Sequence, residues 1–340
     1  MYKKINTDKD KIGLYLTSKY LCYTLKSEEY RLYVCSIEDE SEIIFISEEK
    51  KVNYYSIYGD NLIYISRDED STFLVNLKSK NKNQIDEILY DLVDNYYKKN
   101  ENYYCDNNHV YIYDLLSGNI VKIIKKTIIG YPKLGTDDYI ITNNNIYIYV
   151  YLKTDFSLLW QKEMRDFFNN EEDSKNNQLQ IQEIYAYKDT FIVVTTFGTV
   201  CLKQVDGSLI WKTDSYARTM EIVGNIGYVC TSLSLYKINL DTGEESGYGW
   251  IHNRLPDFEY GDRSYWPAGH RVVYHNGFLW YLVYDAGDSF IIAINPETGD
   301  YEWIHKVDTY EKADEIQFYE NKMFVSDTGG YLHIYEKEDA

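Results

Sequence analysis

Short stretches of alternating apolar and polar residues, broken by clusters of Asn, Asp, Thr, Ser and Gly, run along this chain. A period of two marks β-strands with one face in a core, and the breaks supply the turns between them. The pattern predicts strand pairs at 20–25 with 31–37, 61–66 with 72–77, 102–105 with 109–114, and 139–142 with 146–151. Further strands fall at 191–195, 226–230 and 278–283, and at 323–325 before 331–335. Only 84–95 and 163–169 read as helix-like, each as an insertion or an irregular strand.

One unit recurs within this rhythm. Ala293-Ile-Asn295-Pro-Glu-Thr298-Gly299-Asp-Tyr-Glu-Trp303 is a strand end, a tight turn and a second strand with a large aromatic at a fixed offset. Cys201-Leu-Lys-Gln-Val-Asp206-Gly207-Ser-Leu-Ile-Trp211 keeps the Gly-to-Trp spacing, and Val150 to Trp160 keeps the frame with Phe156 in place of glycine. Asn239-Leu-Asp241-Thr242-Gly243 keeps the turn, but Trp250 comes three residues late. Tyr113-Asp114-Leu-Leu-Ser117-Gly118 has the turn and Lys122 where tryptophan would fall. Repeated hairpins spaced about 35 to 55 residues apart predict a closed all-β propeller of four-stranded blades. Eight blades fit best, or seven if one early hairpin belongs to its neighbour. The sequence after 336 holds no further strand, so residues 1–5 are expected to complete the last blade and remove an open edge.

The repeat resembles that of the PQQ-like, or quinoprotein-type, β-propellers, whose blades carry Ala-x-Asp-x-x-Thr-Gly-x-x-x-Trp. Ala293, Asn295, Thr298, Gly299 and Trp303 match it, Gly207 and Trp211 in part, Trp160 at the docking position, and Gly243 and Gly118 at the turn. The resemblance covers 110–335 and implies that the tryptophans dock neighbouring blades. It is specific for fold and says little of function. Quinoprotein enzymes of that family use adjacent cysteines and calcium-binding carboxylates, and this sequence shows neither. No cofactor is expected. Family members that scaffold outer-membrane assembly are lipoproteins, and the opening residues do not read as such a leader.

Composition changes this picture in a few places. The 340 residues read as a single domain, 1–340, with insertions at 161–177 and 251–272. Thirty-eight tyrosines favour strands, with rings in the blades and hydroxyls reaching a partner. The five cysteines, Cys22, Cys35, Cys105, Cys201 and Cys230, form no CxxC and read as reduced thiols. The charged opening Met-Tyr-Lys-Lys is no secretion signal, and no apolar run spans a bilayer, so the expected location is cytoplasmic. Acidic residues outnumber basic ones by 54 to 35, a net charge of −19 that repels nucleic acid and anionic membranes and favours basic proteins. Acidic clusters at Glu38-Asp39-Glu40-Ser-Glu42 and Glu171-Glu172-Asp173 add to it. A generally acidic surface that only keeps the protein soluble is the plainer reading.

Chemical motifs do not nominate an active site. The six histidines show no HxH or HExxH spacing, and His270 and His275 would face opposite sides of a strand. No GxSxG, P-loop or GxGxxG occurs. The remaining anomaly is the insertion His252-Asn-Arg254-Leu-Pro-Asp257-Phe-Glu-Tyr260-Gly-Asp-Arg263-Ser-Tyr265-Trp266-Pro-Ala-Gly-His270-Arg271. It is rich in the residue types that dominate binding hot spots and holds two of the four prolines. Arg254, Asp257, Tyr260, Arg263, Tyr265, Trp266, His270 and Arg271 are the candidate protein-binding residues. Against this stands a structural role, with Trp266 and Phe258 plugging the fold and Arg263 paired to an acid. The expected function is a non-enzymatic, monomeric propeller that binds a basic protein, as an acidic inhibitor or immunity protein neutralising a toxin or effector. The alternatives are an enzyme or small-molecule binder using an axial pocket, and an assembly scaffold.

Overall fold

The computed structural model describes residues 2–8, 11–39, 41–85, 101–105, 109–114, 119–125, 129–168, 179–269, 271–309 and 311–338. The chain packs as two compact units. One comprises Met1–Lys125, Gly287–Phe290 and Lys306–Ala340, the other Lys126–Ala286 and Ile291–His305.

In the first unit, strand β1 (Tyr2–Asp8) stands apart from the strands that follow it. The first blade is β2 (Lys11–Leu16), β3 (Tyr20–Leu25), β4 (Arg31–Ser36) and β5 (Ile43–Ile46), antiparallel and in chain order. The second repeats the arrangement with β6 (Val52–Tyr58), β7 (Asn61–Ser66), β8 (Ser71–Asn76) and β9 (Lys82–Ile85). Of the third, β10 (Glu101–Cys105), β11 (His109–Asp114) and β12 (Asn119–Lys125) are described.

The second unit holds the fourth blade, β13 (Tyr131–Gly135), β14 (Tyr139–Asn144), β15 (Tyr147–Leu152) and β16 (Leu158–Glu163). The fifth is β17 (Ile181–Tyr187), β18 (Thr190–Thr195), β19 (Gly198–Lys203) and β20 (Leu209–Lys212). The sixth is β21 (Thr219–Val223), β22 (Ile226–Cys230), β23 (Leu235–Asn239) and a two-residue β24 (Glu245–Ser246). A separate hairpin follows, β25 (Phe258–Tyr260) and β26 (Arg263–Tyr265). The seventh blade is β27 (Val272–His275), β28 (Phe278–Asp285), β29 (Asp288–Ile294) and β30 (Tyr301–Lys306). In the first unit again, β31 (Ala313–Tyr319), β32 (Lys322–Asp327) and β33 (Leu332–Lys337) form the eighth blade, and β1 pairs antiparallel with β33 from Tyr2↔Lys337 to Asp8↔Leu332. The fold is an eight-bladed β-propeller whose last blade is completed by the N-terminal strand.

Blades pack face to face, so middle strands are buried on both sides. All six residues of Asn61–Ser66 and of Thr190–Thr195 are buried. Ile192, Val194, Cys201 and Trp211 of the fifth blade share a core with Met220, Val229, Tyr236 and Ile238 of the sixth. Cys22, Cys35, Cys201 and Cys230 are buried thiols, and burial pushes the Cys230 thiol up to about 12. The side chain of Cys105 lies outside the described residues.

The recurrent glycine and tryptophan act across the blade interface. Trp160 lies against the Gly207 turn, and its Nε1–H donates to the Gln204 carbonyl at 2.8 Å. Trp211 lies against the Gly243 turn and donates to the Leu240 carbonyl at 3.0 Å. Gln204 and Leu240 each stand three residues before their glycine, so the two docks are equivalent. In the sixth blade the late Trp250 shares the role with Tyr248. Both rings wall Gly299, and the Tyr248 hydroxyl donates to Pro296 at 3.1 Å, again three before the glycine. Trp303 packs instead within its own blade, edge-on to Trp280 and stacked on His305.

The turn itself is closed by the same hydrogen bond in each described copy. Gly207, Gly243 and Gly299 donate to Lys203, Asn239 and Asn295 at 3.0, 2.7 and 2.8 Å, and Phe156 donates to Leu152 at 2.8 Å. Phe156 holds the same left-handed backbone, φ 58°, that glycine adopts without steric resistance. Ser117 and Gly118 lie outside the described residues, as do 169–177 of the first insertion, with Glu171, Glu172 and Asp173. Neither helix-like stretch contains an α-helix among its described residues. Residues 84–85 end strand β9, with 86–95 outside the described residues; Glu163 ends β16 and a 3-10 turn, Met164–Phe167, follows it, with residue 169 outside the described residues.

Candidate functional site

The second insertion is a shaped hairpin pinned at both ends to the sixth and seventh blades. Arg254 bridges to Ser234, and the Leu255 N–H donates to the Leu233 carbonyl at 2.8 Å, fixing the entry. Tyr260 pairs with Arg263 across Gly261 and Asp262, a two-residue turn in which Gly261 has φ +62°. On one face of the ribbon Phe258 and Tyr265 sit opposite each other and stack at 5.7 Å. Phe258 also meets the edge of Tyr301, whose hydroxyl donates to the Pro256 carbonyl at 2.7 Å. At the exit, Gly269 donates to the Ser232 carbonyl at 3.0 Å and Tyr284 donates to Ala268 at 3.2 Å.

This geometry separates the candidate residues. Tyr265 is 3 % exposed and serves as an anchor of the hairpin, which corrects its assignment as a binding residue. Phe258, Leu255 and Pro267 are buried with it. Its sequence neighbour Trp266 is 57 % exposed. Trp266 is held from below, because its backbone N–H donates to the Asp285 carboxylate at 2.9 Å. The Arg254 guanidinium lies over the Trp266 ring at 5.5 Å and donates to the Asp257 carboxylate at 3.0 Å. Tyr260 and Arg263 are exposed at the tip. The plug reading therefore holds for Phe258 and fails for Trp266. Arg271 is exposed at the base near Glu221, whose carboxyl is pushed up by burial even though Tyr274 N–H and the Arg271 charge oppose it. His270 lies outside the described residues.

Two residues of the surface escaped the sequence. Tyr284 is exposed beside the exit of the insertion, and Asp285 orders Trp266. Both end strand β28, where the sequence shows an ordinary hairpin turn and no sign that another segment docks there. The result is an exposed platform of Trp266 with Arg254 stacked on it and Asp257 paired to that guanidinium, while Tyr260 and Tyr284 are exposed on the hairpin and beside its exit. Such a platform can bury apolar area and place carboxylates against a basic partner.

A second polar cluster lies inside the eighth blade. His333 Nε2 is 3.0 Å from Asp327 Oδ2, Thr309 Oγ1 donates to the same oxygen at 2.6 Å, and the N–H groups of Gly329 and Tyr331 donate to Asp327 Oδ1. The threonine hydroxyl is spent on the carboxylate rather than on histidine, and His333 Nδ1 is buried without a partner. This arrangement braces the turn between β32 and β33; a nucleophile relay would place the imidazole between hydroxyl and carboxylate.

No family model matches the sequence, and no curated protein matches it. Solved structures do. BamB from Moraxella catarrhalis aligns over 99 % of this chain and 100 % of its own, with TM-score 0.63 and 10 % identity. Sqt1 from Saccharomyces cerevisiae aligns over 99 % and 98 %, with TM-score 0.67 and 7 % identity. The dihydro-heme d1 dehydrogenase NirN in complex with DHE aligns over 91 % and 68 %, with TM-score 0.62 and 8 % identity. What is shared is the β-propeller. Identities this low carry the fold alone.

Proposed function

We propose that this chain is a protein-binding β-propeller with a PQQ-like repeat, and that it acts by binding rather than by chemistry. The observation that carries the reading is Trp266, a large aromatic held exposed by Asp285 and Arg254 on a hairpin inserted into the repeat. An exposed, preorganised tryptophan gains more on burial in a complex than a loop that must first be ordered. The glycine-on-tryptophan docks of the fourth, fifth and sixth blades support the family reading.

The partner we propose is a basic protein, and the specific version is a toxin or effector that this chain neutralises as an acidic inhibitor in the cytoplasm. The net charge of −19 steers a cationic partner towards the surface, and the buried thiols accord with a reducing compartment. Affinity capture with the full chain from its native lysate, at low and high salt, tests this. The expected partner is basic, is weakened by salt, and loses roughly 30-fold in affinity with Trp266→Ala. Capture of acidic proteins only, or of partners indifferent to Trp266→Ala, would overturn the reading.

A further inference from the structure

The outer strands of the blades are protected in a consistent way, with one exception. Lys82 lies on β9, Lys162 on β16, Lys212 on β20, Lys306 on β30, and Lys3 and Lys4 on β1. The last described strand of the third blade, β12, carries Lys122 and Lys125, and β24 is only two residues long. A charge or extreme shortness on an edge strand prevents its open N–H and C=O groups from pairing with another chain. Strand β5, Ile43-Ile44-Phe45-Ile46, has neither device, and its only irregularity is a bulge against β4 between Phe45 and Ile43. It pairs with β4 on one side, and no described strand lies on the other. Ile44 and Phe45 pack against the core shared by the first two blades, whereas Ile43 and Ile46 are 51 % and 40 % exposed.

Charge decides what this edge can accept. Glu38, Asp39 and Glu42 are exposed just before the strand, and just after it the Glu48 side chain is 90 % exposed, with Lys82 3.6 Å from its carboxylate. The neighbouring lysines are already engaged, Lys50 with Glu29 at 3.0 Å and Lys51 with Asp68 at 2.6 Å. A second copy of this chain would set these carboxylates against their own equivalents, in molecules that each carry a charge of −19.

We infer that the edge of β5 is a docking site for an extended, apolar segment of another protein flanked by lysine or arginine, added as a further strand to the first blade. Main-chain hydrogen bonds supply the pairing, Ile43 and Ile46 supply apolar contact, and the flanking carboxylates select the basic ends. This site is independent of the Trp266 platform.

The probe is a labelled peptide with an alternating valine and threonine centre and paired lysines at both ends, titrated into the full-length protein by fluorescence anisotropy. Binding is expected with slowed amide exchange at residues 43–46, and an Ile43→Lys/Ile46→Lys variant should bind at least about tenfold more weakly. Both substitutions are at exposed positions, and an unchanged melting temperature would show that the variant folds. Trp266→Ala should leave peptide affinity unchanged, which separates this site from the platform. The inference is overturned by no binding up to about 1 mM peptide, or by equal binding of a proline-interrupted peptide or of the double variant. Concentration-dependent dimers that disappear in the double variant would overturn it in favour of a second copy.

Discussion

At the residue scale, one turn shows how a repeat tolerates substitution. A Cβ on Gly243 would stand 2.7 Å from two ring atoms of Trp211, whereas a Cβ on Gly224, also at positive φ, meets nothing within 4 Å. Gly224→Ala is therefore expected to lose about 1 kcal/mol from backbone strain alone. Gly243→Ala should lose about 2 kcal/mol more, because the ring cannot retreat from a packed interface. Phe156 presents the opposite balance, with a strained backbone and a ring that is fully buried. Phe156→Gly relieves about 1 kcal/mol of strain and gives up several from the core, so a net loss of about 2 to 3 kcal/mol is expected. Denaturant unfolding of the three variants checks the order. The glycine and tryptophan frame was legible in the sequence because both residues obey local rules of turn and offset. The part played by Tyr248 was not, since a hydroxyl reaching Pro296 depends on how two blades meet.

Blades and hairpins are where the polar chemistry is placed. The Asp327 carboxyl is raised by burial, but hydrogen bonds from His333, Thr309 and Tyr331 outweigh this and leave it below the ordinary carboxylate range. A carboxyl whose folded value lies below its unfolded value, about 3.9, contributes stability that is present above that pH. The contribution is lost as pH falls through the folded value. Asp327→Asn should lower stability at neutral pH by about 2 to 3 kcal/mol and flatten the acid limb of the melting curve below about pH 4. Equal acid sensitivity in the two proteins would count against this role. In the hairpin, strand alternation foretells that one face of Phe258–Tyr260 and Arg263–Tyr265 turns inward. Which of two adjacent aromatics lies inside depends on Tyr301 and Asp285, remote in sequence, so Tyr265 and Trp266 could not be told apart beforehand.

For the whole molecule, the pairing of β1 with β33 joins the two chain ends in one sheet. Removing residues 1–8 exposes β33, with Leu332, Ile334 and Tyr335 buried along it, and leaves an unpaired edge. The truncated protein should melt at least about 5 °C lower and aggregate sooner on heating, checked by calorimetry and light scattering. An unchanged melting temperature would show that the eighth blade stands without its outer strand.

The sequence by itself determined the strands, their turns, the repeat and its frame, because these follow from neighbours a few residues apart: a period of two, a glycine at positive φ, an aromatic at fixed offset. It also determined the net charge of −19. Only the tertiary structure decided which tryptophans dock, which aromatic of the insertion is presented, and that β5, with neither a lysine nor a two-residue length, forms the outer edge of its blade. Each of those outcomes is set by contacts between residues far apart in the chain, and local pattern carries no record of them.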